Sequence, residues 1–87
     1  MSALLAQIER ILLLEWDPIG IQDYDGTADE YDLYAWVIFN MLFAATPAGA
    51  DEIAGYLGRV QTQSMGMDAT PVRNSAVAAM ILRARGR

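Results

Sequence analysis

The chain is predicted to be all-α, a compact bundle of about four helices in one domain, residues 1–87, around a central apolar helix over 29–45. Three observations predict this. Apolar residues recur at spacings of three and four along most of the chain. No run alternates at period two for long enough to make a strand, and there is no internal repeat. Asp17-Pro18, Thr46-Pro47 and Thr70-Pro71 punctuate the periodic stretches where helices should stop or start.

The first helix is expected over Ser2 to Glu15, with Ser2 as N-cap. Leu5, Ile8 and Leu12 give its buried stripe, with Leu4 and Ile11 beside it and Gln7, Glu9 and Arg10 outside. Leu13 and Leu14 widen the apolar side, so the helix is expected to touch more than one neighbour. Pro18 ends it, because the residue before a proline is pushed out of the helical region. Trp16 to Ala28 then reads as a loop with turn signals at Asp17-Pro18, Gly20 and Asp25-Gly26. Trp16, Ile19 and Ile21 are expected to fold back onto the core.

The central helix starts near Asp29, capped by Thr27 or Asp29, with Asp29, Glu30 and Asp32 at the positive end of its dipole. Tyr31, Tyr34, Ile38 and Phe39 form one stripe, and Leu33, Trp36, Val37, Met41 and Leu42 cover the other sides. From Ala35 to Ala45 only Asn40 is polar. A helix apolar all round must be enclosed by protein or lipid. Eleven residues span roughly 17 Å, too short for the ~30 Å core of a bilayer, so the enclosure expected is protein. Asn40, at depth, should then bond a neighbouring helix or a loop carbonyl, since an unpaired buried amide costs a few kcal/mol.

A third helix is expected from the Thr46-Pro47 cap, firm from Asp51 and running to about Ser64. Ile53, Tyr56, Leu57 and Val60 make its inner face, with Glu52, Gly55, Arg59 and Gln63 outside. Gly66 stops it, flanked by Met65 and Met67 as core fillers. Thr70-Pro71 opens the fourth helix, about Pro71 to Arg85. Its inner side is expected to be Val72, Ala76, Ala79 and Met80, with Val77 and Ile81 beside them.

Composition narrows the function classes. Cysteine and histidine are both absent, which removes thiolate chemistry, disulfides and the commonest general base and metal ligand. No histidine stands ready to activate Ser2, Ser64 or Ser75, and no glycine-rich phosphate loop or dinucleotide fingerprint occurs. An enzyme is not expected, and no cofactor. The N-terminal apolar run lacks a basic lead, is interrupted by Glu9 and Arg10, and is followed by no small-residue cleavage site. A cytoplasmic protein that keeps its N-terminus is expected.

The net charge of −5 is unevenly spread. Between Arg10 and Arg59 there are nine acids and no base, whereas Arg73, Arg83, Arg85 and Arg87 follow Asp68 with no acid. An acidic middle disfavours nucleic acid, whose phosphates need a basic face, and favours a basic protein partner. Trp16, Asp17, Asp23, Tyr24, Asp25, Asp29, Glu30 and Asp32 are the candidate partner-binding residues, aromatic anchors set among steering charges. Trp16 also reads as a packing anchor, and the acids as a solvated face. An EF-hand does not fit DYDGTADEYD: with Gly26 at the sixth position, the first ligand would be Ile21.

EWDPIG (Glu15 to Gly20), an acidic loop, DEYD (Asp29 to Asp32), a tyrosine-containing third helix and SMGM (Ser64 to Met67) occur in that order. Over about Leu4 to Met67 the chain resembles a family of small acidic, largely uncharacterised bacterial helical proteins, some of them described as immunity-like. The resemblance implies a helical fold and a role beside a toxin, and it brings no catalytic residues. The expected function is a non-enzymatic acidic protein-binding module, an immunity-like inhibitor of a basic toxin or nuclease. Two alternatives stay open. One is a self-associating helical protein, a homodimer pairing the Arg-rich end of one copy with the acidic loop of the other. The other is a carboxylate-metal-dependent sensor or enzyme.

Overall fold

The computed structural model describes residues 3–16 and 29–86, with side chains for 3–16 and 31–86. Four helical stretches make up these residues, and no strand occurs among them. Helix α1 (Ala3–Ile11) continues as a π-wound turn, Leu12–Trp16. Helix α2 is Asp29–Leu42, α3 is Ala50–Arg59 with a π-wound continuation Val60–Ser64, and α4 is Pro71–Arg85. Helix α1 packs on both α2 and α4, and α4 packs on α3. One continuous core draws on all four, including Ile8, Leu12, Ile38, Leu57 and Ile81.

The π winding keeps α1 in register with that core. Ile8, Leu12 and Trp16 are buried at every fourth residue. In an α-helix a four-residue step overshoots a full turn by about 40°. The wider winding between Leu12 and Trp16 takes that drift back. Trp16 therefore points into the core, and the periodic stripe runs one position beyond Glu15. Leu14 lands on the opposite side, 52% exposed, and does not extend the buried face as the sequence suggests.

Helix α3 begins three residues later than Thr46-Pro47 indicates. The Ala48 N–H donates to the Met41 carbonyl at 3.1 Å, tying the connection to the end of α2, and Ala48 is buried. Thr46 and Pro47 thus belong to the connection, and extended Gly49 is the N-cap. The Glu52 carboxylate reaches back to accept from the Gly49 N–H at 3.2 Å, satisfying one orphan donor of the helix start. Ile53, Leu57 and Val60 are buried as expected, Tyr56 partly, and Gly66 closes the stretch at φ 67°, a left-handed conformation that favours glycine.

Thr70 is the N-cap of α4 and Pro71 its first residue, as the sequence indicates. Val77 and Ile81 are buried as expected, but the helix turns its inner side toward them and away from Val72 and Ala76. Its buried positions are Asn74, Val77, Ala78 and Ile81, while Ala76 is exposed and Val72 is 86% exposed. The spacing i, i+3, i+4, i+7 is regular, but it starts on a polar residue. A closed polar cluster fixes that choice.

Three side chains form a ring in which each donates to the next. Thr70 Oγ1 donates to Asn74 Oδ1 (3.2 Å), Asn74 Nδ2 to Gln61 Oε1 (2.8 Å), and Gln61 Nε2 to Thr70 Oγ1 (2.8 Å). Two outside donors complete it: Trp16 Nε1–H to Asn74 Oδ1 at 2.8 Å, and the Thr70 N–H to Gln61 Oε1 at 3.0 Å. Among the described residues no buried side-chain polar atom lacks a partner. Fully satisfied, such a ring joins α1, α3 and α4 in one arrangement; half satisfied, it would cost more than an apolar core.

Candidate binding surface

Helix α2 carries two apolar stripes on opposite sides. Tyr31, Tyr34, Ala35, Ile38 and Leu42 are buried and face the core. At 100° per residue, Asp32, Leu33, Trp36, Asn40 and Phe43 fall away from that stripe. There Leu33 is 61%, Trp36 51% and Phe43 59% exposed. The expectation that protein surrounds this helix is corrected: it is covered on its inner side and open on its outer one.

Asn40 is corrected with it. It is exposed, and its Nδ2 donates to the Trp36 carbonyl of its own helix at 2.8 Å, with no bond to another element among the described residues. Around it the aromatic rings make a ladder. Trp36 stacks on Phe39 with centroids 5.8 Å apart and planes 14° from parallel, and Phe39 meets Phe43 at 5.0 Å. The Arg85 guanidinium of α4 lies 5.8 Å from the centre of the Phe43 ring, within reach of a cation–π attraction. The outer face therefore has an exposed acid, Asp32, near its start, aromatic rings along it, and a cation at its end.

At the start of α2, Asp32 and Glu9 of α1 border a small cleft of about 220 Å³ with Tyr31 and Leu13. Burial pushes the Glu9 carboxyl above the ordinary carboxylate range, and the nearby Asp32 charge adds to the shift. A second, open groove of about 1030 Å³ lies between the end of α1 and α4, lined by Leu14, Met67, Val72, Ala76 and Met80 with Arg73 on its rim. Its apolar lining consists largely of residues that the α4 rotation turned outward.

The candidate residues are distributed as follows. Trp16 is fully buried and hydrogen-bonded to Asn74, so as a surface anchor it is corrected: it holds the core. Asp32 is exposed beside the outer stripe. Asp29 and Glu30 form the first residues of α2. Asp17, Asp23, Tyr24 and Asp25 lie outside the described residues, as do Ile19, Ile21 and the Asp17-Pro18 and Asp25-Gly26 turn signals. The loop carboxylates considered for a metal fall there as well; among the described residues no three acids come together as ligands.

The sequence expectation does not place Leu33, Trp36 and Phe43 on the surface. The signal was the spacing 29, 33, 36, 40, 43, which carries an acid and an amide among the apolar residues, whereas the inner stripe at 31, 34, 35, 38 and 42 has no residue more polar than tyrosine. Among the described residues no helix is long and apolar enough to cross a membrane. No protein-family model, curated protein or solved structure matches the chain.

Proposed function

We propose that the chain is a non-enzymatic protein-binding module that docks the outer face of α2 and its acidic start onto a basic protein. The observation that carries this is the run of exposed Leu33, Trp36 and Phe43 on the same side of the helix as Asp32. Apolar rings in the middle of such a face supply the affinity, and the charge at its edge steers a partner of opposite sign. Inhibition of a basic toxin or nuclease, the role implied by the family that the chain resembles, fits this chemistry: carboxylates take the place of substrate phosphates.

The test is capture of a basic partner on the immobilised protein, followed by calorimetry with the purified partner. Trp36→Ala should weaken binding by at least tenfold, the loss of a central anchor. Asp32→Asn should slow association and flatten its salt dependence. A partner that binds both variants as it binds the parent would exclude the α2 face.

A further inference from the structure

We infer that, when no partner is bound, the outer face of α2 is closed by a second copy of this chain, the two α2 helices packing antiparallel about a two-fold axis near Trp36. The step rests on the α2 face being the binding face, and it gives that face a regulator: the dimer must open before a partner docks. Three features of the face support self-pairing.

The first is its spacing. Leu33, Trp36, Asn40 and Phe43 follow each other by three, four and three residues, the seam along which helices pair side by side. The second is length. Exposed Leu33, Trp36 and Phe43 span ten residue steps, about 15 Å from α2 into the turn that follows it, so the seam is not a local patch.

The third is charge, and it selects the orientation. A two-fold interface brings the same surface patch from both copies together, so the patch must complement itself. The α2 face carries exposed Asp32 at one end and exposed Arg85 over Phe43 at the other. Antiparallel pairing lays the acidic start of each copy on the Phe43–Arg85 end of its mate, and Trp36 meets Trp36 between them. Parallel pairing would set acid against acid and arginine against arginine, which is repulsive. The basic end of the second copy thus takes the position of the basic partner.

Sedimentation equilibrium from low micromolar to submillimolar protein tests this. The parent should shift from monomer to dimer with concentration, and Trp36→Glu, which would bury two carboxylates at the axis, should remain monomeric with unchanged far-ultraviolet circular dichroism. Asp32→Arg and Arg85→Glu should each weaken the dimer by roughly two- to thirtyfold, two exposed ion pairs being lost in each. The double variant should recover the parent's affinity, because the pair is re-formed with its signs exchanged. A parent that stays monomeric throughout overturns the inference, as does a dimer that survives Trp36→Glu or a double variant no tighter than the singles. A monomeric parent that still captures its partner through Trp36 would leave the binding function standing. A dimer whose α2 variants bind the partner as the parent does would instead remove the binding function and keep the pairing.

Discussion

Two sets of touching aromatic rings meet α2, a closed trio against the core and an open chain along its outer side, at similar centroid distances. In the inner trio, Trp16 lies 5.5 Å from Tyr31 and 6.3 Å from Tyr34, and the two tyrosines 6.2 Å from each other. In the outer, Trp36, Phe39 and Phe43 are spaced at 5.8 and 5.0 Å. Yet Trp16 is fully buried and Trp36 is half exposed. Ring contact alone therefore does not bury a ring. The outer contacts join residues three and four apart, which meet in an isolated helix and stabilise it by about 0.2–0.5 kcal/mol per pair. The inner trio needs a residue from another helix and exists only once the chain has folded. Its tryptophan is also held by an acceptor on a third helix, Asn74 Oδ1. What lies across from the rings, and not the rings themselves, separates a core from a surface.

The largest effect should come from truncating the two tryptophans in parallel. Trp16→Ala should lower the unfolding free energy by about 3–5 kcal/mol. For a domain of this size each kcal/mol is about 4–8 °C in Tm. Trp36→Ala, measured by urea titration at a concentration where the protein is monomeric, should stay within about 0.5 kcal/mol of the parent. Equal losses would mean that the outer trio is buried too.

A smaller effect separates the trios by their polar support. Asn74→Leu leaves the Trp16 indole N–H without its acceptor and opens the ring with Gln61 and Thr70, so a loss of about 1–3 kcal/mol is expected. Combined with Trp16→Phe, the loss should be less than additive, because the two residues share a bond. Full additivity in that cycle would show that the Trp16–Asn74 bond contributes nothing.

The smallest effect is at the edge between the two sides. The Glu9 carboxyl is raised in the fold, so between its unfolded and folded values the native state holds more protons. Stability from this group is present at low pH and is lost as pH rises through that window. Glu9→Gln should therefore raise Tm slightly at pH 7, with the gain vanishing below the ordinary carboxylate range. A gain of the same size at every pH would assign the effect to packing.

Much of the fold was legible because it depends on local chemistry. Thr70-Pro71 marked the start of α4, Gly66 the stop after α3, and Ile53, Leu57 and Val60 the inner face of α3, each from residues within a turn or two of one another. The rotation of α4 was not legible. Its alanines and scattered apolar residues favour no side, and the decision falls to Asn74, which lies inside because Trp16 and Gln61 meet it there. The same holds for Gly49 as the α3 cap: Ala48 is bound to Met41 from the preceding helix, and no local signal reports that.

The binding surface was legible only in part. The sequence by itself determined that α2 is apolar on two sides, that acids precede it and that arginines follow in α4. The stripe of Tyr31, Tyr34 and Ile38 was legible and is the one the chain covers, but that the stripe of Leu33 and Trp36 would stay open was not, because apolar residues on a second side report burial only once another element packs there. The tertiary structure decided that. Tyr31 and Tyr34 pack on Trp16, which the π winding brings inward and Asn74 holds, while Leu33, Trp36 and Phe43 stay outside.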